Sequence, residues 1–179
     1  MNRLLFIIFL LTGISGHAKD LDMFSLKGSV DSLCIIIDDA GLTWQTEFKF
    51  DNNGYLIEFD GIKIDTERNE LNQITDFIIE EDDEDSEPIT IETILEYDSH
   101  GRVIKTTNIS PDEEWTETFT YDDKGRLLSK VYESPYASEK FSYVYVKEDS
   151  KGNWTQRQEK IASTDQITTH TRNIIYKPE

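Results

Sequence analysis

The sequence is poor in the groups that usually carry chemistry. It holds one cysteine, Cys34, so no disulfide can form within the chain. Small exported domains often depend on such bridges; this chain has to stand on its core. Of its three histidines, His17 lies in an N-terminal apolar stretch, His100 in a turn motif and His170 in a threonine-rich run. Two histidines and one cysteine without a spacing motif do not make a metal site. No G-x-S-x-G elbow, G-x-G-x-x-G or phosphate loop occurs, so neither a positioned nucleophile nor a nucleotide cradle is expected. Basic residues are scarce: 18 against 36 acidic, a net charge of -18. A chain so acidic repels phosphate backbones and anionic membrane surfaces, which argues against nucleic acid as a partner. Helical patterning is missing too. No dozen residues carry an apolar stripe at i, i+3, i+4 and i+7 without alternating instead.

One long apolar run exists, Leu4–Leu11, behind Arg3 and ahead of Gly16-His17-Ala18. A basic start, a short apolar core and a small-x-small ending are the marks of a secretory leader. The expectation is a cleaved signal peptide over 1–18 and one domain over 19–179. The run is too short to span a bilayer, so no membrane insertion is expected after cleavage. The mature chain is long enough for one real core. Cys34, beside Ile35-Ile36-Ile37, is expected to be a small buried residue.

What is abundant is alternation. Trp44, Thr46, Phe48 and Phe50 alternate with Gln45, Glu47 and Lys49. Trp115, Glu117, Phe119 and Tyr121 alternate with Thr116, Thr118 and Thr120. Period two places one face in a core and one in water. Phe141, Tyr143 and Tyr145 oppose Val144 and Val146, which predicts a strand buried on both faces. Between the runs a motif recurs: Asp51-x-x-Gly54, Asp98-x-x-Gly101, Asp122-x-x-Gly125 and Asp149-x-x-Gly152. Aspartate opens a type I turn because its carboxylate accepts turn N–H groups, and glycine supplies the left-handed residue after it. The residue before each Asp and the one two past each Gly should face each other across a hairpin. Phe50, Tyr97 and Tyr121 fill the first position; Glu148 stands there in the fourth copy. Asp65–Leu71 reads as a decayed fifth copy, with Asn69 in the left-handed role.

Tyr97-Asp98-Ser99-His100-Gly101-Arg102-Val103 and Tyr121-Asp122-Asp123-Lys124-Gly125-Arg126-Leu127 resemble the YD repeat of the Rhs family of bacterial exported proteins. The Phe50 copy lacks the arginine, and the Asp149 copy lacks both aromatic and arginine. The resemblance covers roughly residues 44 to 176 and implies stacked β-hairpins in an exported protein. Four copies cannot wind the large toxin-enclosing shell of that family, so the shell activity does not carry over.

The expected fold is all-β: an antiparallel meander of successive hairpins, about a dozen strands, as a twisted sheet or partly rolled sandwich. Seven of the eight residues of Glu80–Glu87 are acidic. Like charges so dense form a solvated loop by default, and calcium is the sharper alternative there and at the acidic turns. Trp44, Trp115 and Trp154 are candidates for stacking on a sugar ring, set against core packing. No catalytic residue and no cofactor is indicated. The function expected is that of an exported, non-enzymatic binding or structural protein, with a protein or glycan partner in the periplasm, at the cell surface or in the medium. A carboxylate-based polysaccharide hydrolase is the alternative, since 36 acidic residues will place some pair at a working distance.

Overall fold

The computed structural model describes residues 20–39, 41–81 and 89–178. The expected leader and residues 82–88 of the acidic loop, with the calcium reading attached to them, lie outside the described residues. One short helix, α1 (Asp20–Met23), precedes thirteen strands. They are β1 (Val30–Asp39), β2 (Leu42–Phe50), β3 (Leu56–Phe59), β4 (Ile62–Lys63), β5 (Asp65–Arg68), β6 (Ile74–Glu81) and β7 (Ile89–Tyr97). Then follow β8 (Val103–Ile109), β9 (Glu114–Tyr121), β10 (Leu127–Glu133), β11 (Ser138–Glu148), β12 (Trp154–Ile161) and β13 (Ile167–Tyr176).

All thirteen join one antiparallel sheet, in the order β4-β3-β2-β1-β13-β12-β11-β10-β9-β8-β7-β6-β5. The first and last strands pair in its middle, Ile35 opposite Arg172 and Ile37 opposite His170. The sheet edges are β4 and β5, which are separated only by Ile64. Laid flat, thirteen strands would span roughly 60 Å. Lys63 and Asp65 can lie no more than about 7 Å apart. The sheet therefore rolls far enough to bring its two edges together at Ile64, without pairing them to each other. In effect Ile62–Arg68 is one run that pairs first with β3 and then with β6.

Rolling gives every strand an inside and an outside. The inside is filled. Leu33, Ile35, Ile37, Phe48, Phe50 and Phe59 form an apolar half, with Phe24 from the N-terminal segment packed on Phe48 and Phe50. Eight strands enclose a space just wide enough for ordinary side chains; this larger ring also takes in Trp115, Lys130, Arg157 and Arg172, all buried. The outside is mixed: Ile57, Ile94, Ile104, Leu128, Val144 and Ile175 are exposed there beside polar residues. Thr43, Gln45, Glu47 and Lys49 line it on β2, and Glu114, Thr116, Thr118 and Thr120 on β9. Glu96 and Lys105 pair across β7 and β8 at 3.0 Å.

The one-layered sheet corrects two expectations. β11 is not buried on both faces: Phe141 and Tyr143 point in, while Val144 and Val146 are exposed. Among the described residues no second layer covers them. Cys34 lies on the outer side, half-buried, rather than in the core. Partial burial, then Glu47 and Asp60, push its thiol up, which leaves it a poor nucleophile.

Candidate functional site

The Asp-x-x-Gly turns all lie at one end of the roll, because each closes a hairpin whose strands run the same way. Their geometry repeats atom for atom. Asp98 Oδ1 accepts the N–H groups of His100 and Arg102 at 2.8 and 3.0 Å. The Gly101 N–H donates back to the Asp98 carbonyl, and Gly101 sits at φ +77°. Asp51, Asp122 and Asp149 hold the same bonds. The flanking residues face each other across each hairpin: Phe50 and Leu56, Tyr97 and Val103, Tyr121 and Leu127, Glu148 and Trp154.

A fifth turn stands at Asn69–Gln73, with the roles reassigned. Asn69 takes the aspartate's part, its Oδ1 accepting from Leu71 and Gln73. Asn72, at φ +66°, takes the glycine's. Asn69 is thus not the left-handed residue that Asp65–Leu71 suggested.

The tyrosines and arginines of the motif join one repeat to the next. The hydroxyls of Tyr97, Tyr121 and Tyr145 donate to the carbonyls of Ile74, Val103 and Leu127. Arg102 lies over the ring of Tyr121, and Arg126 over Tyr145, at 4.8 and 5.0 Å. Each arginine also grips its own turn: Arg102 to Asp98 and Arg126 to Asp122. Tyr145 thus fills the aromatic role in the fourth copy, although it precedes Asp149 by four residues. The irregular pairing between Tyr145 and Glu148 absorbs the extra length.

These contacts occupy the turn carboxylates. Burial raises the Asp122 carboxyl, but the Arg126 backbone N–H and guanidinium outweigh it, and the net shift is downward. Against burial, Asp98 is lowered by Arg102 in the same way, Asp51 by the Tyr55 and Asn53 N–H groups, and Asp149 by the Tyr176 hydroxyl and the Asn153 N–H. Asp122→Ala is expected to cost about 2 kcal/mol, because a charged acceptor for two backbone donors is lost. That is a fall of roughly 4–8 °C in Tm for a chain of this size. Asp122→Asn keeps the acceptor, as Asn69 does naturally, and should lose less than half as much. Equal losses in the two variants would refute the acceptor role.

Inside the polar half lies a charged cluster. The Lys130 ammonium donates to Glu117 Oε1 at 2.9 Å, and both side chains are fully buried. Arg157 Nη2 is 3.5 Å from His170 Nδ1, and His170 Nε2 is 3.9 Å from Glu159. Glu117 and Glu159 are the converging carboxylates that a hydrolase reading asks for. Both are sealed within the roll, at 1% and 5% exposure, where no polysaccharide reaches them. Burial, then Arg157, Lys130 and Arg172, hold His170 well below its ordinary pKa, so it is neutral in the fold.

Unfolded histidine binds a proton near pH 6.5. The folded state therefore loses stability as pH falls below that value, by up to about 1.4 kcal/mol per pH unit. Glu117, raised by burial, acts in the opposite direction. The stability difference between the parent and His170→Gln isolates the histidine. That difference should change with pH below 6.5 and stay flat from pH 7 to 8, read by urea unfolding. A flat difference throughout would mean that His170 titrates normally.

The concave feature at the turn end is a half-open cavity of about 210 Å³ between the N-terminal segment and the Asp122 and Asp149 turns. Leu26, Lys27, Lys124, Arg126, Glu148 and Trp154 line it. The segment is fixed there by Asn153, whose Oδ1 accepts the Lys27 N–H at 2.6 Å and whose Nδ2 donates to the Lys27 carbonyl at 3.0 Å. Nothing in the strand pattern announces this pocket, since it depends on residues 24–28 crossing the mouth.

The three tryptophans are not brought together. Trp44 is half-buried against the core, and Trp115 lies inside at 6% exposure. Trp154, at 3%, has the guanidinium carbons of Arg157 and Arg172 over its ring at 4.5 and 3.5 Å. Trp115 and Trp154 therefore present no open ring face to a sugar. Trp154 offers the pocket little but its margin. Among the described residues, no group of three or more His, Cys, Asp and Glu side chains is arranged to hold a metal ion.

No protein-family model matches the chain, and no curated protein matches it. Among solved structures, a porin-like protein from Bacteroides vulgatus ATCC 8482 superposes with a TM-score of 0.39 at 8% identity, covering 86% of this chain and 100% of that one.

Proposed function

We propose that the chain is an exported, non-catalytic binding protein of the bacterial envelope, built from YD-like hairpins. Its binding site is the pocket at the turn end, and its partner a protein or glycan outside the cytoplasm. The observation that carries this reading is the contrast between the two polar sites. The cluster with paired carboxylates is sealed, while the open pocket has a single carboxylate, Glu148, among its lining residues. The leader pattern at 1–18 supports export. The tyrosine and arginine latches explain the repeat as a way of holding a rigid rim, which a binding site needs.

The test has two arms. The full chain, expressed in a bacterial host and fractionated, should appear outside the cytoplasm with Lys19 as its first residue. An intact leader on a cytoplasmic product would overturn the export reading. The mature domain, incubated with soluble envelope glycans and extracellular protein ligands, should bind without altering them. Release of shortened glycans, watched by mass spectrometry, would restore the hydrolase.

A further inference from the structure

The pocket inverts the charge of the molecule. The chain carries two acidic residues for each basic one. The pocket is lined by Lys27, Lys124 and Arg126 against Glu148 alone. Arg126 is partly neutralised by Asp122 at 2.9 Å and reaches Glu148 at 3.5 Å. Lys27 and Lys124 are exposed at the mouth.

Two buried donors stand behind the pocket wall. Trp154 lines the pocket at its margin, and its buried indole N–H donates to no protein acceptor. Buried tryptophan N–H groups ordinarily find one, since an unmet donor loses its hydration without return. Behind Trp154 is Arg172, at 2% exposure, its guanidinium carbon 3.5 Å from the centre of the indole ring. None of its three nitrogens donates to a protein acceptor. Its charged neighbour is another cation, Arg157, and among the described residues no carboxylate pairs with it. A buried cation without a paired anion is costly, and its field extends into the space beyond the indole.

We propose that this pocket binds a small organic anion: its acidic group is held by Lys27 and Lys124, beside Trp154, and its body rests against Leu26. This rests on the binding reading above and names the ligand class for the same site. A cavity of about 210 Å³ takes a unit of monosaccharide size. A carboxylate and a phosphate share the chemistry that these donors recognise. Screening by salt follows, because both lysines are exposed.

The experiment uses the mature domain labelled with ¹⁵N in its tryptophans, whose three indole signals report Trp44, Trp115 and Trp154 separately. Trp154→Phe assigns the third. The probes are glucuronate, glucose 6-phosphate and glucose. At millimolar concentration, glucuronate or glucose 6-phosphate should move the Trp154 signal while Trp44 and Trp115 stay fixed, and glucose should move none. The more effective anion identifies the acidic group. Lys27→Ala/Lys124→Ala changes exposed side chains only and leaves the Asn153 clamp on the Lys27 backbone intact. It should weaken binding about tenfold, with unmoved Trp44 and Trp115 signals showing that the fold is kept. An unmoved Trp154 signal with both anions overturns the proposal, as does equal binding by the double variant. If neutral glucose shifts Trp154 and the anions do not, the pocket binds but the anion inference fails.

Discussion

Lys130→Met should lower the stability of the domain by about 3–5 kcal/mol, the cost of leaving a buried charge without its partner. Lys130 on β10 and Glu117 on β9 both point into the roll, and their side chains are 0% and 2% exposed. The ammonium also sits 4.2 Å from the centre of the Phe141 ring. Removing it strands the Glu117 carboxylate in a low-dielectric interior. The corresponding Tm shift is roughly 10 °C or more. Two further results follow from the same physics. The loss should shrink as pH falls toward 5, because burial raises the Glu117 carboxyl and a protonated Glu117 no longer needs a cation. The double variant Lys130→Met/Glu117→Leu should recover most of the stability, since an apolar pair of similar volume avoids the desolvation penalty. A single variant within about 1 kcal/mol of the parent would show that the pair is solvated, and that the interior is not closed as described.

The inward set was largely legible from period-two alternation. Glu117 already falls in step with Trp115 and Phe119, so its burial follows from the sequence even though its partner does not. Lys130 escapes notice because the pairing between Leu127 and Ser129 is irregular, which shifts the phase of β10. Tyr145 escapes for the same reason: three residues beyond the usual spacing separate it from Asp149. Asn69 and Asn72 show that a turn survives without its aspartate or its glycine, provided that one side chain accepts and the other residue tolerates positive φ.

The roll itself was beyond the reach of pattern. A meander read in order leaves its first and last strands at the edges, yet here β1 and β13 pair along most of their length. The edges fall instead at Ile64, in the middle of an unremarkable stretch. Such long-range closure depends on the twist of the whole sheet rather than on any local signal. The pocket inherits this difficulty. Lys27 is distant in sequence from Lys124, Arg126 and Trp154, and only the rolled sheet with the N-terminal segment against it assembles them.

Asp20→Ala should unfasten that closure. Asp20 is 1% exposed and stands at the seam where β3 meets β5. Its carboxylate accepts the Leu56 N–H at 2.6 Å and two bonds from the Arg68 guanidinium at 2.9 and 2.7 Å. Around it, the Leu21 N–H donates to the Gly54 carbonyl and Asn72 donates to the Tyr55 hydroxyl. Beyond the backbone run through Ile64, these groups tie the two edges of the sheet together at this end. Losing a bidentate pair and a backbone acceptor together should cost about 3 kcal/mol. The damage should be local. Amide hydrogen exchange in β3, β5 and the start of β6 should quicken by roughly a hundredfold, while β9–β11 keep their protection. Arg68→Lys, which loses the bidentate geometry but keeps the charge, should fall between the parent and Asp20→Ala. If exchange instead rises evenly over all thirteen strands, the seam is no weaker than the rest of the roll, and closure is a property of the whole sheet. A confined response would make the N-terminal segment a clasp: it fastens the edges with Asp20, packs the apolar half with Phe24 and completes the pocket with Lys27.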